Sequence, residues 1–484
     1  MKKFDLKQLA DLAMLDRGLD PSYSALARQQ AERARLPPIP EQAVDLRHLP
    51  WCSIDNGEGE EVSSKDLDQI TVAQPAPNGN FTVYVAIADV DVLVPLNCPI
   101  DEQARRNTTT VYTAEKNYPM IHPRLSEGLT SLNQDEDRLA MVNQLTVTST
   151  GEVADFRFFQ GLVRNHLKLN YESVGQWLEG EGAPPARLQG KEEMIASLQL
   201  QDQVAQILKE RRRRLGSLEL ESLEARAQID QDRVVRILPQ LRNHATELIE
   251  NLMVASNGCA SRFLNSQGYP SLQRVVRQPK FWDEIVALAA DKGWDLPPAP
   301  DSGGLARFLD SQRHQDALHF PDLSLSILKL LGRGEYVVEL PGQPPIGHFG
   351  LAVRDYSHAT APNRRYPDLI TQRLLKAALR QQACPYPEEE LEKLARHCTQ
   401  QEGQAQKVER QSQKSAAALM LSQRLGETFE AVVSGQNRTT SWVRLLTMPI
   451  EGKLIGSAKL GQRLRVKLAA VNVGSGFIDF RAAP

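Results

Sequence analysis

The chain reads as an α+β multidomain protein: a short helical arm in front, a large mixed central region and a small β-barrel at the end. Three observations predict this. Phe81-Thr82-Val83-Tyr84-Val85-Ala86-Ile87-Ala88-Asp89-Val90 is a nearly continuous β-favouring run, as expected of a strand buried on both faces. Helix-like apolar spacing then dominates, with long stretches at 191–214 and 245–264. After Gly426 short strand-like runs alternate with turns, which suits a small closed barrel.

Taken in order, residues 4–34 carry a helical stripe of Phe4, Leu6, Leu9, Leu12, Ala13 and Leu15. Gly18 and Pro21 break it, residues 22–35 resume it, and Pro37-Pro38-Ile39-Pro40 makes a stiff linker. Such short helices are either a helix-turn-helix unit or a packed arm. Residues 51–163 are mainly strand, with a turn at 135–138 followed by a strand at 139–148. Gly182-Ala183-Pro184-Pro185 marks a loop. Further helices are predicted at 172–180, 280–292, 303–309, 322–331, 367–382 and 387–425, the last long and interrupted. In the tail, strands are predicted at 429–433, 442–446, 463–471 and 477–480.

The 484 residues suffice for several domains, and 41% hydrophobic with 24% charged content is that of a water-soluble globular protein. A net charge of -3 excludes a global basic signature, so a polyanionic partner must meet a local basic channel. Cys52, Cys98, Cys259, Cys384 and Cys398 are scattered without a Cys-x-x-Cys pair, as reduced thiols are. Met1-Lys2-Lys3 starts like a signal peptide, but Asp5, Lys7 and Asp11 interrupt any apolar core, and no transmembrane run follows. A cytoplasmic location, no membrane partner and a monomer are expected.

The most informative stretch lies between residues 50 and 72. It holds six carboxylates: Asp55, Glu58, Glu60, Glu61, Asp66 and Asp68. One reading is a solvated acidic loop with Asp55 or Asp66 capping a turn. The other is a site for a hard divalent cation, Mg²⁺ or alternatively Mn²⁺, which takes oxygen ligands. The setting favours the second. Asp66 and Asp68 flank Leu67, and in an extended chain residues two apart share a face. Leu67 then enters the core while both carboxylates point into one space.

A second stretch reads Tyr356-Ser357-His358-Ala359-Thr360-Ala361-Pro362-Asn363-Arg364-Arg365-Tyr366-Pro367-Asp368-Leu369. Pro367 and Asp368 suit the first turn of a helix. Adjacent arginines on such a loop either hold phosphate through paired hydrogen bonds or form surface ion pairs.

Together these stretches resemble the ribonuclease II and ribonuclease R exoribonucleases. Ser53-Ile54-Asp55 followed by Lys65-Asp66-Leu67-Asp68 looks like their acidic signature, and residues 356–369 look like their second, whose usual form has Ser at 361 and Ile at 363. Between them, in order, fall Val85 to Val90, Val111-Tyr112, Pro119-Met120, Leu125-Ser126, Ser131-Leu132 and Asp137-Arg138-Leu139-Ala140; residues 247–255 resemble the family's Leu-Ile-Glu-rich helix. Behind the helical arm at 1–44, the resemblance implies a ribonuclease II-type (RNB) catalytic domain at 45–425 and an S1-type RNA-binding OB barrel at 426–484.

It further implies a processive, hydrolytic 3′→5′ exoribonuclease that degrades single-stranded RNA to 5′-nucleoside monophosphates with a divalent metal. Asp55 and Asp66 match metal-ligand positions, Asp68 matches both a ligand and the acid most closely tied to catalysis, and Arg364 matches the phosphate clamp. Tyr112 matches an aromatic that stacks on a 3′-terminal base; from spacing alone, a core tyrosine beside Val111 is the equal alternative. Glu409 aligns with an acid that meets the terminal nucleotide. Trp442, near Arg438, Arg444 and Lys453, sits where such barrels present a stacking aromatic, or else in the barrel core.

The departures are specific. The family usually has two adjacent acids where this chain has Asp68-Gln69, and the spacer between Asp55 and Asp66 is longer, so Glu58, Glu60 or Glu61 becomes a substitute ligand. The second clamping aromatic falls near Leu220, which cannot stack, so a weaker grip is expected. Two cold-shock barrels usually precede the catalytic domain; the helical arm stands in their place, and a more open entrance admitting RNA with duplex regions is expected. The alternative function is an RNA-binding protein of the same fold with weak or no nuclease activity. Arg211 to Arg214 reads as a solvated helix end or part of an entrance funnel.

Overall fold

A computed structural model describes residues 5–58, 61–221, 225–230, 233–239, 242–436, 440–459 and 461–483, with only the backbone described at 58, 61 and throughout 225–239. Glu60 and Arg438, and the side chains of Glu58 and Glu61, therefore lie outside the described residues, as does Phe4.

A seven-stranded sheet forms the centre. Its order is Val44–Asp45, Val153–Arg164, Asp137–Val147, Phe81–Ala88, Gln69–Pro75, Cys52–Asp55 and Leu167–Asn170. The two outermost pairings are parallel and the inner four antiparallel. Phe81–Ala88 lies in the middle, where Val83, Val85, Ala86 and Ala88 are fully buried, as its apolar run requires. The helices Glu192–Arg214, His244–Ser266 and Tyr366–Leu379 contribute Leu198, Val204, Leu248, Leu252, Leu369 and Leu374 to the same core.

A three-helix unit, Trp282–Ala290, Ser302–Gln315 and Phe320–Leu331, has its own core around Trp282, Phe308 and Phe320. The strands Ser271–Val275 and Glu335–Glu339 pair antiparallel just before and after it. The tail is a closed barrel in the order Thr428–Gln436, Ser441–Leu445, Glu451–Ile455, Phe477–Ala482 and Arg463–Asn472. The strand at Glu451–Ile455 escaped the sequence reading because Gly452 and alternating charged residues blunt its β pattern.

The helix Glu388–Leu421 runs 34 residues without the expected interruption. Leu391, Leu394, Ala395, Cys398, Gln401, Ala405, Val408, Ser412 and Ser415 are buried along its length, and that periodic contact outweighs the ~1 kcal/mol cost of Gly403. Its last turns, Ala416 to Leu421, belong to the barrel core. The barrel turn at Gly476, with φ +71°, lies so close to Lys414 that a Cβ would sit 3.0 Å from the helix backbone.

The two front helices, Leu6–Leu15 and Ala25–Arg33, do not form a separate unit. Ala10, Ala13 and Met14 pack with Ala405 and Val408 of the long helix, while Ala27 and Ala31 join the central core. Between the alternatives of a helix-turn-helix and a packed arm, the packing is that of an arm. All five cysteines are free thiols, and among the described residues no helix is long and apolar enough to cross a membrane.

Candidate active-site channel

A channel of about 1820 Å³ runs between the central sheet, the three-helix unit, the long helix and the barrel. Asp55, Asp66, Asp68, Gln69, Tyr112, Arg364 and Glu409 all line it. Six of the seven site residues singled out in the sequence thus share one space, with Gln69 beside them.

The acidic loop is shaped by its own hydrogen bonds. Asp55 ends a strand, and its Oδ1 accepts from Asn56 N at 2.7 Å and from Ser64 Oγ at 2.6 Å. The chain leaves through a small hairpin, Gly57–Glu58 with Glu61–Val62, and returns where Ser63 N donates to Asn56 O. Residues 65–68 then pass over Ser131, whose Oγ accepts from Leu67 N and donates to Lys65 O at 2.7 Å. Leu67 is 1% exposed, and Asp66 and Asp68 face the channel on either side of it, as the two-residue period demands.

Asp68 is fully enclosed. Its Oδ1 accepts the backbone N–H of Asn363 at 2.9 Å. Its Oδ2 has no hydrogen-bond partner, and Arg364 Nε lies 3.3 Å from it. Burial pushes the Asp68 carboxyl up to about 7, against the pull of Arg364 and the Asn363 N–H. Burial also raises Asp66, with Asp55 and Glu127 adding repulsion and Arg364 opposing. Such crowding of acids needs positive charge, and Arg364 is the side chain aimed at it.

Arg364 is presented by a rigid loop. Asp368, fully buried in the first turn of Tyr366–Leu379, accepts from Thr360 N and Ala361 N, both at 2.8 Å, and from Arg365 Nη2 at 2.7 Å. Of the two adjacent arginines, Arg365 is therefore structural and Arg364 faces the channel. The Arg364 carbonyl accepts from Thr110 N at 2.9 Å, tying this loop to the hairpin Val111–Tyr112/Asn117–Tyr118. Tyr112 is 39% exposed, with its hydroxyl 3.5 Å from Asp66 Oδ2 and its backbone N–H donating to Glu409 Oε1 at 2.9 Å. The core reading of Tyr112 is excluded; Val111, beside it, is the buried one. Glu409 faces the channel and also holds the tyrosine backbone.

Two expectations meet a different placement. Leu220 packs against the three-helix core and does not line the channel. Trp442 is half-buried on the barrel and also off the channel lining, whereas its neighbour Arg444 lies on it and pairs with Asp322 at 2.8 and 3.1 Å. Arg213 and Arg214 pair with Glu210, as a solvated helix end would, whereas Arg212 is largely buried and donates to Asn251 Oδ1, and none of Arg211 to Arg214 lines the channel. Lys329, Arg333, Arg410 and Lys414 supply the local basic lining that the net charge demanded. The sequence reading missed Tyr171, a channel residue whose phenol is raised by burial and by the charge of Asp55. Its only sequence signal is Asn170, which caps the helix Tyr171–Leu178 at the end of a strand pairing with the one that carries Asp55.

The donor set fits a hard divalent cation. All candidate ligands are carboxylate oxygens, and the buried Asp68 Oδ2 accepts no hydrogen bond and has only the Arg364 guanidinium beside it. Among the described residues no three His, Cys, Asp or Glu side chains gather tightly enough to enclose an ion alone. Water and phosphate oxygens would complete the shell, an arrangement that Mg²⁺ favours.

The family model for the RNB domain matches residues 43–381, and that for the RNase II-type exonuclease C-terminal S1 domain matches residues 427–483. Ribonuclease R of Escherichia coli K12 is 30% identical over 486 residues, covering 91% of this chain and 58% of that protein. The chain thus spans less than two thirds of that relative's length. Two solved structures of Mycoplasma genitalium RNase R share the fold. The complex with ribose-methylated single-stranded RNA has a TM-score of 0.88 at 23% identity, over 99% of this chain and 78% of that one. The complex with double-stranded RNA has a TM-score of 0.87 at 24% identity, over 99% and 83%. The RNB match takes in both the acid-bearing loop and the loop of Arg364, and the chain belongs to the RNB family.

Proposed function

We propose that the chain is a processive, hydrolytic 3′→5′ exoribonuclease that feeds single-stranded RNA along the channel and releases 5′-nucleoside monophosphates. One observation carries the reading: Asp55, Asp66, Asp68, Arg364 and Tyr112, from three distant parts of the chain, line a single channel. The RNB family membership and the RNA held by the Mycoplasma genitalium relative support the substrate class.

In this reading Asp55, Asp66 and Asp68 would hold Mg²⁺, with Mn²⁺ as a substitute. The bound cation supplies charge neutralisation at the phosphate and an acidified water, together worth several kcal/mol of transition-state stabilisation. Arg364, fixed by its loop, aligns the scissile phosphate against the acids and stabilises charge as it develops. Tyr112 stacks on a base near the 3′ end, a contact worth about 1–3 kcal/mol that ignores base identity. Lys329, Arg333, Arg410 and Lys414 hold the backbone farther out. The barrel of residues 426–484 extends the RNA path, and Trp442 belongs to a surface outside the channel.

Gln69 on the channel lining favours a second reading, an RNA-binding protein with weakened metal affinity, because an amide oxygen adds no charge to the acid set. Labelled single-stranded RNA and DNA, incubated with Mg²⁺, Mn²⁺ or chelator, separate the two. Metal-dependent release of 5′-monophosphates from RNA, lost in Asp68→Asn, is expected; tight binding without turnover selects the binder.

A further inference from the structure

The hairpin that presents Tyr112 is not part of the central sheet. Among the described residues, the strands Val111–Tyr112 and Asn117–Tyr118 pair only with each other. A two-stranded ribbon has little stability of its own, so its position is set by what it rests against. On one flank it rests on the long helix, where Glu409 Oε1 accepts from Tyr112 N and Ser412 Oγ accepts from Ala114 N at 3.0 Å.

The other flank is the N-terminal helix Leu6–Leu15. Met14 is fully buried in one apolar cluster with Val111 and Tyr118, the residues on the face of the ribbon opposite Tyr112. The Tyr118 hydroxyl donates to Asp11 Oδ1 at 2.6 Å. The helix is itself pinned: Asp5 caps its first turn, and Arg17 just beyond it donates to Gln411 Oε1 of the long helix at 2.7 Å. The ribbon is thus held by two helices, with Tyr112 and Asn117 on the face that lines the channel.

We propose that the N-terminal helix is a positioning element of the substrate site, with Met14 and Asp11 setting the stance of the hairpin and, through it, the grip of Tyr112 on the RNA 3′ end. The inference rests on the exoribonuclease reading and adds to it a determinant of limit-product length outside the channel.

The test uses the full chain with Met14→Ala, which opens a cavity behind the ribbon, and Tyr118→Phe, which removes only a hydroxyl and folds if the first does not. Tyr112→Ala is the reference, and Val83→Ala in the central sheet is a stability control away from the channel. Met14→Ala and Tyr118→Phe should both shift the limit-product ladder of labelled RNA toward longer fragments, as Tyr112→Ala should. KM for a short oligonucleotide should rise about three- to tenfold while kcat on long RNA stays within about twofold. Combining Met14→Ala with Tyr112→Ala should add no further shift. Val83→Ala should lower the melting temperature and leave the ladder in place.

A ladder moved by Tyr112→Ala but not by Met14→Ala or Tyr118→Phe overturns the positioning role and leaves stacking intact. An unmoved Tyr112→Ala ladder removes the stacking role itself and the arm proposal with it. Absence of any RNA cleavage by the parent chain is the separate failure of the exoribonuclease reading.

Discussion

Asp68 and Arg364 face one another across the channel wall, with Nε 3.3 Å from Oδ2, while the same aspartate takes the backbone N–H of Asn363 through its other oxygen. One carboxylate thus anchors the loop that carries the guanidinium and stands beside it. Asp68→Asn keeps an oxygen for the Asn363 N–H and removes a carboxyl whose ionised form burial opposes. Its stability in urea should therefore stay within about 1 kcal/mol of the parent. Turnover on RNA should fall at least ~100-fold. Loss of both activity and folding would make Asp68 a structural group.

Arg364→Lys keeps the charge and loses the planar fork. The expected loss is about 10²–10³ in kcat with RNA affinity nearly unchanged, read from single-turnover cleavage beside filter binding.

Asp368 holds the Arg364 loop from below. Asp368→Ala leaves Arg365 without its partner and two backbone donors unmet, and should cost about 3 kcal/mol or more in urea denaturation. Asp68→Asn and Asp368→Ala therefore separate chemistry from scaffolding on adjoining loops.

Arg444 of the barrel and Asp322 of the three-helix unit form a two-bond ion pair, both side chains about 15% exposed or less. A double-mutant cycle with Asp322→Asn and Arg444→Gln should give a coupling of about 1–2 kcal/mol. Cleavage should become more distributive, measured by adding unlabelled competitor RNA after binding.

Glu339, 7% exposed at the end of the strand Glu335–Glu339, is pushed up to about 7 by burial, with the charge of Asp355 adding to the effect. The folded chain holds this proton more tightly than the unfolded chain. Its contribution to stability is whole below the ordinary carboxyl range and is lost as pH rises through about 7. Glu339→Gln should therefore gain about 1–2 kcal/mol on the parent between pH of about 5 and about 8. Parallel melting curves across that interval would contradict it.

Much of the site was legible because its logic is local. The Asp66-Leu67-Asp68 alternation shows both the core residue and the two facing carboxylates, and Pro367-Asp368 marks the helix start that fixes the arginine loop. The misses are long-range. Nothing near Leu220 says that it packs against the core of the three-helix unit rather than facing the channel. Tyr171 reaches the site because the strand just before it, Leu167–Asn170, pairs with Cys52–Asp55, a register that propensity does not encode. The strand Glu451–Ile455 is specified by barrel closure, including a parallel pairing with Phe477–Ala482, more than by its own residues.

The unbroken helix Glu388–Leu421 carries Glu409, under Tyr112, and Ala416 to Leu421, the floor of the barrel. Along a straight helix those marks lie roughly 11–18 Å apart. Such a strut works as a ruler. Because one uninterrupted helix carries both, the spacing between the support of Tyr112 and the core of the barrel is fixed by backbone geometry alone.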